Sequence, residues 1–146
     1  MEYIQGDIVT EALEHTDMFV IPANAVINKD KLVMGAGIAK RIRDMFEGAD
    51  ELGATLIKNK PFPSIYGFVH KDRIGFLQVK NHYNEAGSLL LLDYGLKQLA
   101  DFARKNPNLR IDLPFPCIGQ GDLTIEEVKP LLDLHLEGLN VNVWYL

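Results

Sequence analysis

Apolar positions recur along this chain in two rhythms, short solid runs and longer helical stripes, and their alternation predicts a layered α/β fold. Residues 3–5 read as a short strand closed by Gly6. Met18-Phe19-Val20-Ile21 is a continuous apolar run of the kind buried on both faces of a sheet. After Gly35-Ala36-Gly37, residues Ile38, Ile42, Met45 and Phe46 share one helical face, while Lys40, Arg41, Arg43, Asp44 and Glu47 share the other. That helix is expected to stop near Gly48. A weaker helical stretch follows over residues 50–57, ended by Pro61-Phe62-Pro63. Residues 66–69 and 74–79 flank Lys71-Asp72-Arg73 and read as an antiparallel hairpin.

Leu89, Leu92, Leu96, Leu99, Ala100 and Ala103 mark a long amphipathic helix with Ser88 as its N-cap. Residues 111–115 form the next strand and lead into a loop over 116–123. Thr124-Ile125-Glu126-Glu127 has the pattern of a capping box, with Ile125, Val128, Leu131, Leu132 and Leu136 facing inward. Pro130 falls inside that helix and lacks an N–H, so a kink or a later start is expected there. Residues 141–145 close the chain as a last strand. The expected fold is a three-layer α/β/α sandwich with a central mixed β-sheet, one domain over residues 1–146.

At 146 residues the chain is long enough to bury a core without disulfide or metal staples. Apolar residues make up 47% and charged residues 24%, an ordinary balance for a globular domain. The formal net charge of −5 argues against nonspecific nucleic-acid binding, which needs a basic excess. It leaves room for an anionic small ligand, because backbone amides hold phosphate whatever the net charge. The single Cys117 excludes an internal disulfide, and with four scattered histidines it makes a structural zinc site unexpected. Neither a metal nor a cofactor is expected. The first residues carry no basic stretch and no long apolar span, so membrane insertion is not expected and a cytoplasmic location is.

Two glycine-bearing loops, Gly35-Ala36-Gly37 and Gly119-Gln120-Gly121, stand where strands give way to helices. Such a loop bares backbone N–H groups at the positive end of a helix dipole, a seat for phosphate. Ligands of open α/β sheets bind at the carboxyl ends of the strands, where these loops lie. Two seats point to a diphosphate.

In chain order, Gly6-Asp7-Ile8, then Pro22-Ala23-Asn24 with Gly35-Ala36-Gly37-Ile38, then Ile118-Gly119-Gln120-Gly121 resemble the macro domain family, which binds ADP-ribose. The resemblance covers essentially the whole chain. It implies that Asp7 takes the adenine amino group and that the N–H of Ile8 serves a ring nitrogen. A carboxylate suits that task because an exocyclic amine donates, which ionised phosphate oxygens do not. The resemblance further implies that Asn24 orients the distal ribose. Gly35, Ala36, Gly37 and Ile38 would form the first phosphate loop. Gly119, Gln120 and Gly121 would form the second, and Trp144 would lie against the adenine. From the residues alone, Asp7 also suits a turn cap, Asn24 a turn and Trp144 a core position.

The wording Met34-Gly35-Ala36-Gly37-Ile38-Ala39 and the ending Asn142-Val143-Trp144-Tyr145-Leu146 are similar to one branch of that family. It contains the terminal ADP-ribose protein glycohydrolases and the fungal ADP-ribose 1''-phosphate phosphatase. In the glycohydrolases a lysine after a central strand attacks C1'' of the distal ribose, and an aspartate in the second glycine loop assists. Lys80 stands at the matching place and Asp122 near its own, the loop from Gly121 to Thr124 being shorter than that pattern. The implied function is hydrolysis at C1'', freeing ADP-ribose from modified macromolecules or phosphate from ADP-ribose 1''-phosphate. A reader that binds ADP-ribose without turnover is the alternative. His82 ranks below Lys80 and Asp122 as an acid–base group, and Cys117 reads as packing, with no cation beside it in sequence to activate it. A nicotinamide dinucleotide site is a third reading. It lacks the acidic residue at the usual spacing after Gly35, Asp50 and Glu51 being the nearest.

Overall fold

Short apolar runs form the strands of one sheet, and helical stripes cover both of its faces. The computed structural model describes residues 1–146. Its first half runs β1 (Glu2–Gln5), α1 (Ile8–Glu11), β2 (Met18–Ala23), β3 (Ile27–Asn28), β4 (Lys31–Leu32), α2 (Gly37–Met45) and α3 (Ala49–Lys58). The second half runs β5 (Phe68–Lys71), β6 (Ile74–Gln78), α4 (Leu89–Lys105), β7 (Ile111–Pro114), α5 (Ile125–Leu136) and β8 (Val141–Tyr145). Six strands join in the order β1-β8-β7-β2-β6-β5. All neighbours are parallel except β5 and β6, the hairpin, so the sheet is mixed as expected.

Residues of β2 alternate between two cores. Met18 and Val20 join Leu92, Leu96, Leu99, Val128 and Leu132 from α4 and α5. Phe19, Ile21 and Ala23 join Ile42 and Ile57 from α2 and α3 on the opposite face. Each such side chain removed from water contributes about 1.5–3 kcal/mol, which makes these two layers the main source of stability. The one buried polar side chain inside β6, Gln78, is fully satisfied. Its amide donates to the Ser64 carbonyl and to Asn81 Oδ1, both at 2.9 Å, and it accepts from the Gly67 N–H.

Local chemistry explains most element ends. The Ser88 side chain accepts from Leu91 N–H and starts α4. Both halves of the Thr124–Glu127 capping box form, so α5 starts at Ile125 and the later start expected from Pro130 does not occur. Pro130 and Glu126 are both exposed, and water can serve the carbonyl that loses its helical donor. Ile125 is 44% exposed, not inward, because the first turn of α5 overhangs the core edge. Helix α2 stops at Met45, earlier than Gly48, and Met45 is 53% exposed rather than on the buried face. Gly48 instead takes φ +84° and leads directly into α3, a full helix of 10 residues.

Three elements lie outside the sequence expectations: the short α1, and the ribbon β3–β4, a hairpin pairing Ile27 with Leu32 and Asn28 with Lys31. Lys29 and Asp30 both have positive φ at its tip, the backbone of a two-residue primed turn.

Gly95 lets α4 approach the sheet. A Cβ there would stand 2.7 Å from Leu77 Cδ1 and 2.9 Å from the Gly67 carbonyl oxygen. In an ordinary helix interior alanine is favoured over glycine by about 1 kcal/mol. Gly95→Ala is expected to lower the urea unfolding midpoint instead, through about 1–3 kcal/mol of overpacking. An unchanged or raised midpoint would refute the close approach.

Candidate functional site

The carboxyl ends of β1, β8, β7, β2 and β6 open on a cleft of about 700 Å³. That size lies within the roughly 300–1,000 Å³ usual for small-molecule sites. It is lined by Asp7, Ile8, Asn24, Gly35, Ala36, Gly37, Ile38, Lys80, Gly119, Gln120, Gly121 and Trp144, so the structure brings these candidates together. Asp122 is the exception: it is exposed, follows the Gly119–Gly121 turn at φ +59°, and is not among the lining residues.

The sheet order sets out the cleft as a line. Asp7 follows β1, Trp144 lies in β8, Gly119 follows β7, Asn24 follows β2 and Lys80 follows β6. Four strand spacings separate the two ends, about 19 Å at the usual interstrand distance. An elongated ligand fits such a site better than a compact one.

The middle of the cleft is backbone. The N–H groups of Gly35, Ala36, Gly37, Ile38 and Ala39 meet no acceptor in the protein, and neither do those of Gly119 and Gln120. Ala36 caps α2 without a side-chain hydrogen bond, so the positive end of the helix stays open. Gly37 and Gly119 have φ of +58° and +65°, where a side chain would strain the turn. The two loops approach each other: a Cβ on Gly37 would stand 3.7 Å from Gln120 Cγ.

Known structures share this fold. No family model and no curated protein matches the sequence. Among solved structures, Thermosipho africanus DarTG in complex with ADP-ribose superposes with a TM-score of 0.73 at 15% identity, over 99% of this chain. The chain spans 41% of that protein's length. The macrodomain of Thermus aquaticus DarG gives 0.71 at 22% identity, covering 98% of this chain and 95% of its own. The macrodomain of Mycobacterium tuberculosis DarG gives 0.67 at 20% identity, covering 97% and 96%. The fold is that of the macrodomains.

At one end of the cleft, Asp7 is held from three sides. Arg41 donates to both carboxylate oxygens at 3.0 Å, and the Val9 N–H donates to Oδ1 at 3.0 Å. Asp7 therefore caps α1, and the Arg41 hydrogen bonds hold its carboxyl below the usual range against a smaller upward push from burial. The Ile8 N–H beside it has no acceptor in the chain. Trp144 is buried, and a Cβ on Gly6 would lie 3.1 Å from its Cζ3. Its indole N–H donates to Asp112 Oδ1 at 2.8 Å. Arg41 also lines the cleft, although helical periodicity puts it on the polar face. It lies one turn beyond Gly37, which is the sequence signal that could have found it.

The Asn24 side chain is engaged with its own loop. Its amide donates to the Val33 carbonyl at 3.0 Å and accepts from the Val26 N–H at 2.9 Å, pinning the β3–β4 ribbon at both ends. Tyr66, fully buried, donates to the Asn24 carbonyl at 2.7 Å. The Lys80 ammonium faces three carbonyl oxygens: Glu85 at 3.2 Å, Tyr83 at 3.3 Å and Gln120 at 3.5 Å. It thereby ties the 80–88 loop to the second glycine turn. Tyr83, absent from the sequence candidates, is exposed and lines the cleft beside Lys80. His82 packs against the Tyr83 ring at a tilt of 35°, hydrogen-bonds Asn84 and does not line the cleft.

Cys117 sits in the cleft wall, buried, with its thiol pushed up to about 12 by burial, against a smaller downward pull from Lys80. A cation is near it after all, brought in by the fold, yet the sulfur stays protonated at neutral pH. Asp50 and Glu51 lie in the first turn of α3, outside the cleft, and α2 is followed by a helix rather than a strand. The dinucleotide-binding βαβ unit is therefore absent at this loop.

The folded Asp7 carboxyl titrates below its unfolded value of about 3.9. Its pairing thus adds stability above that pH, and the contribution is lost as pH falls through the depressed value. In an NMR titration, Arg41→Gln is expected to move the Asp7 midpoint up toward the ordinary range. A midpoint that does not move would rule out Arg41 as the cause.

Proposed function

We propose that this chain binds ADP-ribose in the cleft and hydrolyses bonds at C1'' of its distal ribose. The observation that carries the reading is the convergence of unpaired N–H groups from both glycine loops on one elongated cleft. The T. africanus relative, solved with ADP-ribose, supports it through a shared fold. Adenine would lie at the β1 and β8 end. Arg41 and Val9 occupy three of the roughly four acceptor positions of Asp7, leaving one on Oδ2 for an exocyclic amine, with the Ile8 N–H for a ring nitrogen. The diphosphate would lie between the loops and the distal ribose near Lys80.

Hydrolysis adds water across the C1''–O bond and leaves ADP-ribose with the freed carboxyl or phosphate. A neutral Lys80 amine would attack C1'', the carboxylate or phosphate leaving as its C1''–O bond breaks, and water would then cleave the C1''–N bond to free ADP-ribose and the amine. To attack, Lys80 has to shed a proton and leave its three carbonyl partners, and Asp122 is exposed and not among the residues that line the cleft. These two facts favour a second reading, a reader without turnover. The macromolecule that carries ADP-ribose is the proposed partner in both.

Calorimetry with ADP-ribose, ADP, AMP and NAD is expected to rank ADP-ribose tightest. Equal affinity for ADP would remove the distal-ribose assignment. Incubation with a protein carrying ester-linked ADP-ribose is expected to release ADP-ribose with the wild type and not with Lys80→Ala. Intact binding without release by the wild type would establish the reader instead.

A further inference from the structure

Asp112 is the one charged side chain wholly withdrawn from solvent. It lies in β7, behind the cleft and not among its lining residues. Its two oxygens take four hydrogen bonds: from Arg110 Nε at 3.0 Å and Nη2 at 3.3 Å, from Asn142 Nδ2 at 3.2 Å, and from Trp144 Nε1 at 2.8 Å. Arg110 supplies the counter-charge from a side chain one-third exposed. No buried side-chain nitrogen or oxygen is left without a partner. A buried carboxylate is a poor device for stability, since apolar residues of similar volume do as well or better. A fully satisfied buried network does, however, fix the orientation of its members. The member that reaches the cleft here is the Trp144 indole, whose N–H donates the shortest of the four bonds.

We propose that Asp112 is a positioning residue for the purine, acting through Trp144: it holds the indole as a fixed wall at the Asp7 end of the cleft without touching the ligand. The proposal rests on the ADP-ribose reading. Three of its members lie on the adjacent parallel strands β7 and β8, where Pro114 pairs with Trp144 and Asp112 with Asn142. The network therefore couples ring orientation to sheet register, which a loop-borne aromatic would lack. An indole whose rotamer is already fixed loses little freedom when a flat ring stacks on it.

Trp144 is the sole tryptophan, so its fluorescence reports on this wall alone. Adding ADP-ribose to the wild type is expected to quench or shift that emission. Asp112→Asn, one acceptor oxygen short for the four donors, is expected to weaken ADP-ribose binding about tenfold, as is Trp144→Phe. The decisive arm is the double variant: with the indole gone, Asp112→Asn is expected to cause no further loss of affinity. An equal loss in the Trp144→Phe background, no loss in the wild-type background, or unchanged emission on binding would each overturn the proposal. Should circular dichroism show Asp112→Asn unfolded, Arg110→Gln replaces it, with a loss of about threefold that again vanishes in the Trp144→Phe background. Absence of any ADP-ribose binding by the wild type would overturn the underlying reading itself, an outcome distinct from intact binding that ignores Asp112.

Discussion

Strand β2 gives Met18 and Val20 to one core and Phe19 and Ile21 to the other, and its two edges pair with parallel neighbours. Parallel pairing at the centre of the sheet means that β2, β6 and β7 all finish on the same side. Each chain segment leaving them must turn there before it can return as a helix, so the turns crowd together. The cleft is a geometric consequence of that crowding rather than a separate construction. Displacing β2 by one residue would exchange its two sets of side chains between cores and move Asn24 out of reach of Val26 and Val33. Fold and site therefore stand or fall on the same register.

The ends of the cleft differ from its middle in what they are made of. Side chains already committed to partners form the ends: Asp7 to Arg41, Trp144 to Asp112, and Lys80 to three carbonyls. Unpaired main-chain N–H groups form the middle. Committed side chains arrive at a ligand with their rotamers settled, and main-chain groups in tight turns have no rotamers to settle. Both limit the ordering that binding has to impose.

Elements whose signal is local were legible in the sequence. The Ser88 cap, the Thr124–Glu127 capping box and the hairpin around Asp72 each rest on residues within a few positions of one another. The β3–β4 ribbon was not, because its turn is Lys29-Asp30 instead of the glycine-bearing pair that marks such turns. Burial of Leu32 and the ion pair from Lys58 to Asp30 hold it from a distance. The candidate site divides in the same way. Order along the chain was enough to nominate Asp7, the glycine loops, Lys80 and Trp144. What each one is bonded to depends on residues 34 positions away for Asp7 and 32 for Trp144, which no local pattern carries. Asp122, at φ +59° just after the Gly119–Gly121 turn, is exposed and does not line the cleft, a placement that order along the chain does not carry.

Charge gives the last step. A chain of net charge −5 is a poor electrostatic partner for a diphosphate at long range. Of the cations that line the cleft, Arg41 is spoken for by a carboxylate and Lys80 by carbonyl dipoles. What remains to meet phosphate is the row of free N–H groups and the open end of α2. Such dipoles do not titrate, and they act only within a turn or so of the anion. They give the site short-range selectivity for a group that enters between the loops, and they give it no general attraction for polyanions. On the proposed reading, a phosphate seat built from backbone in an acidic domain would discriminate a single bound diphosphate from the phosphate chains of nucleic acid by geometry, with net charge working on the same side.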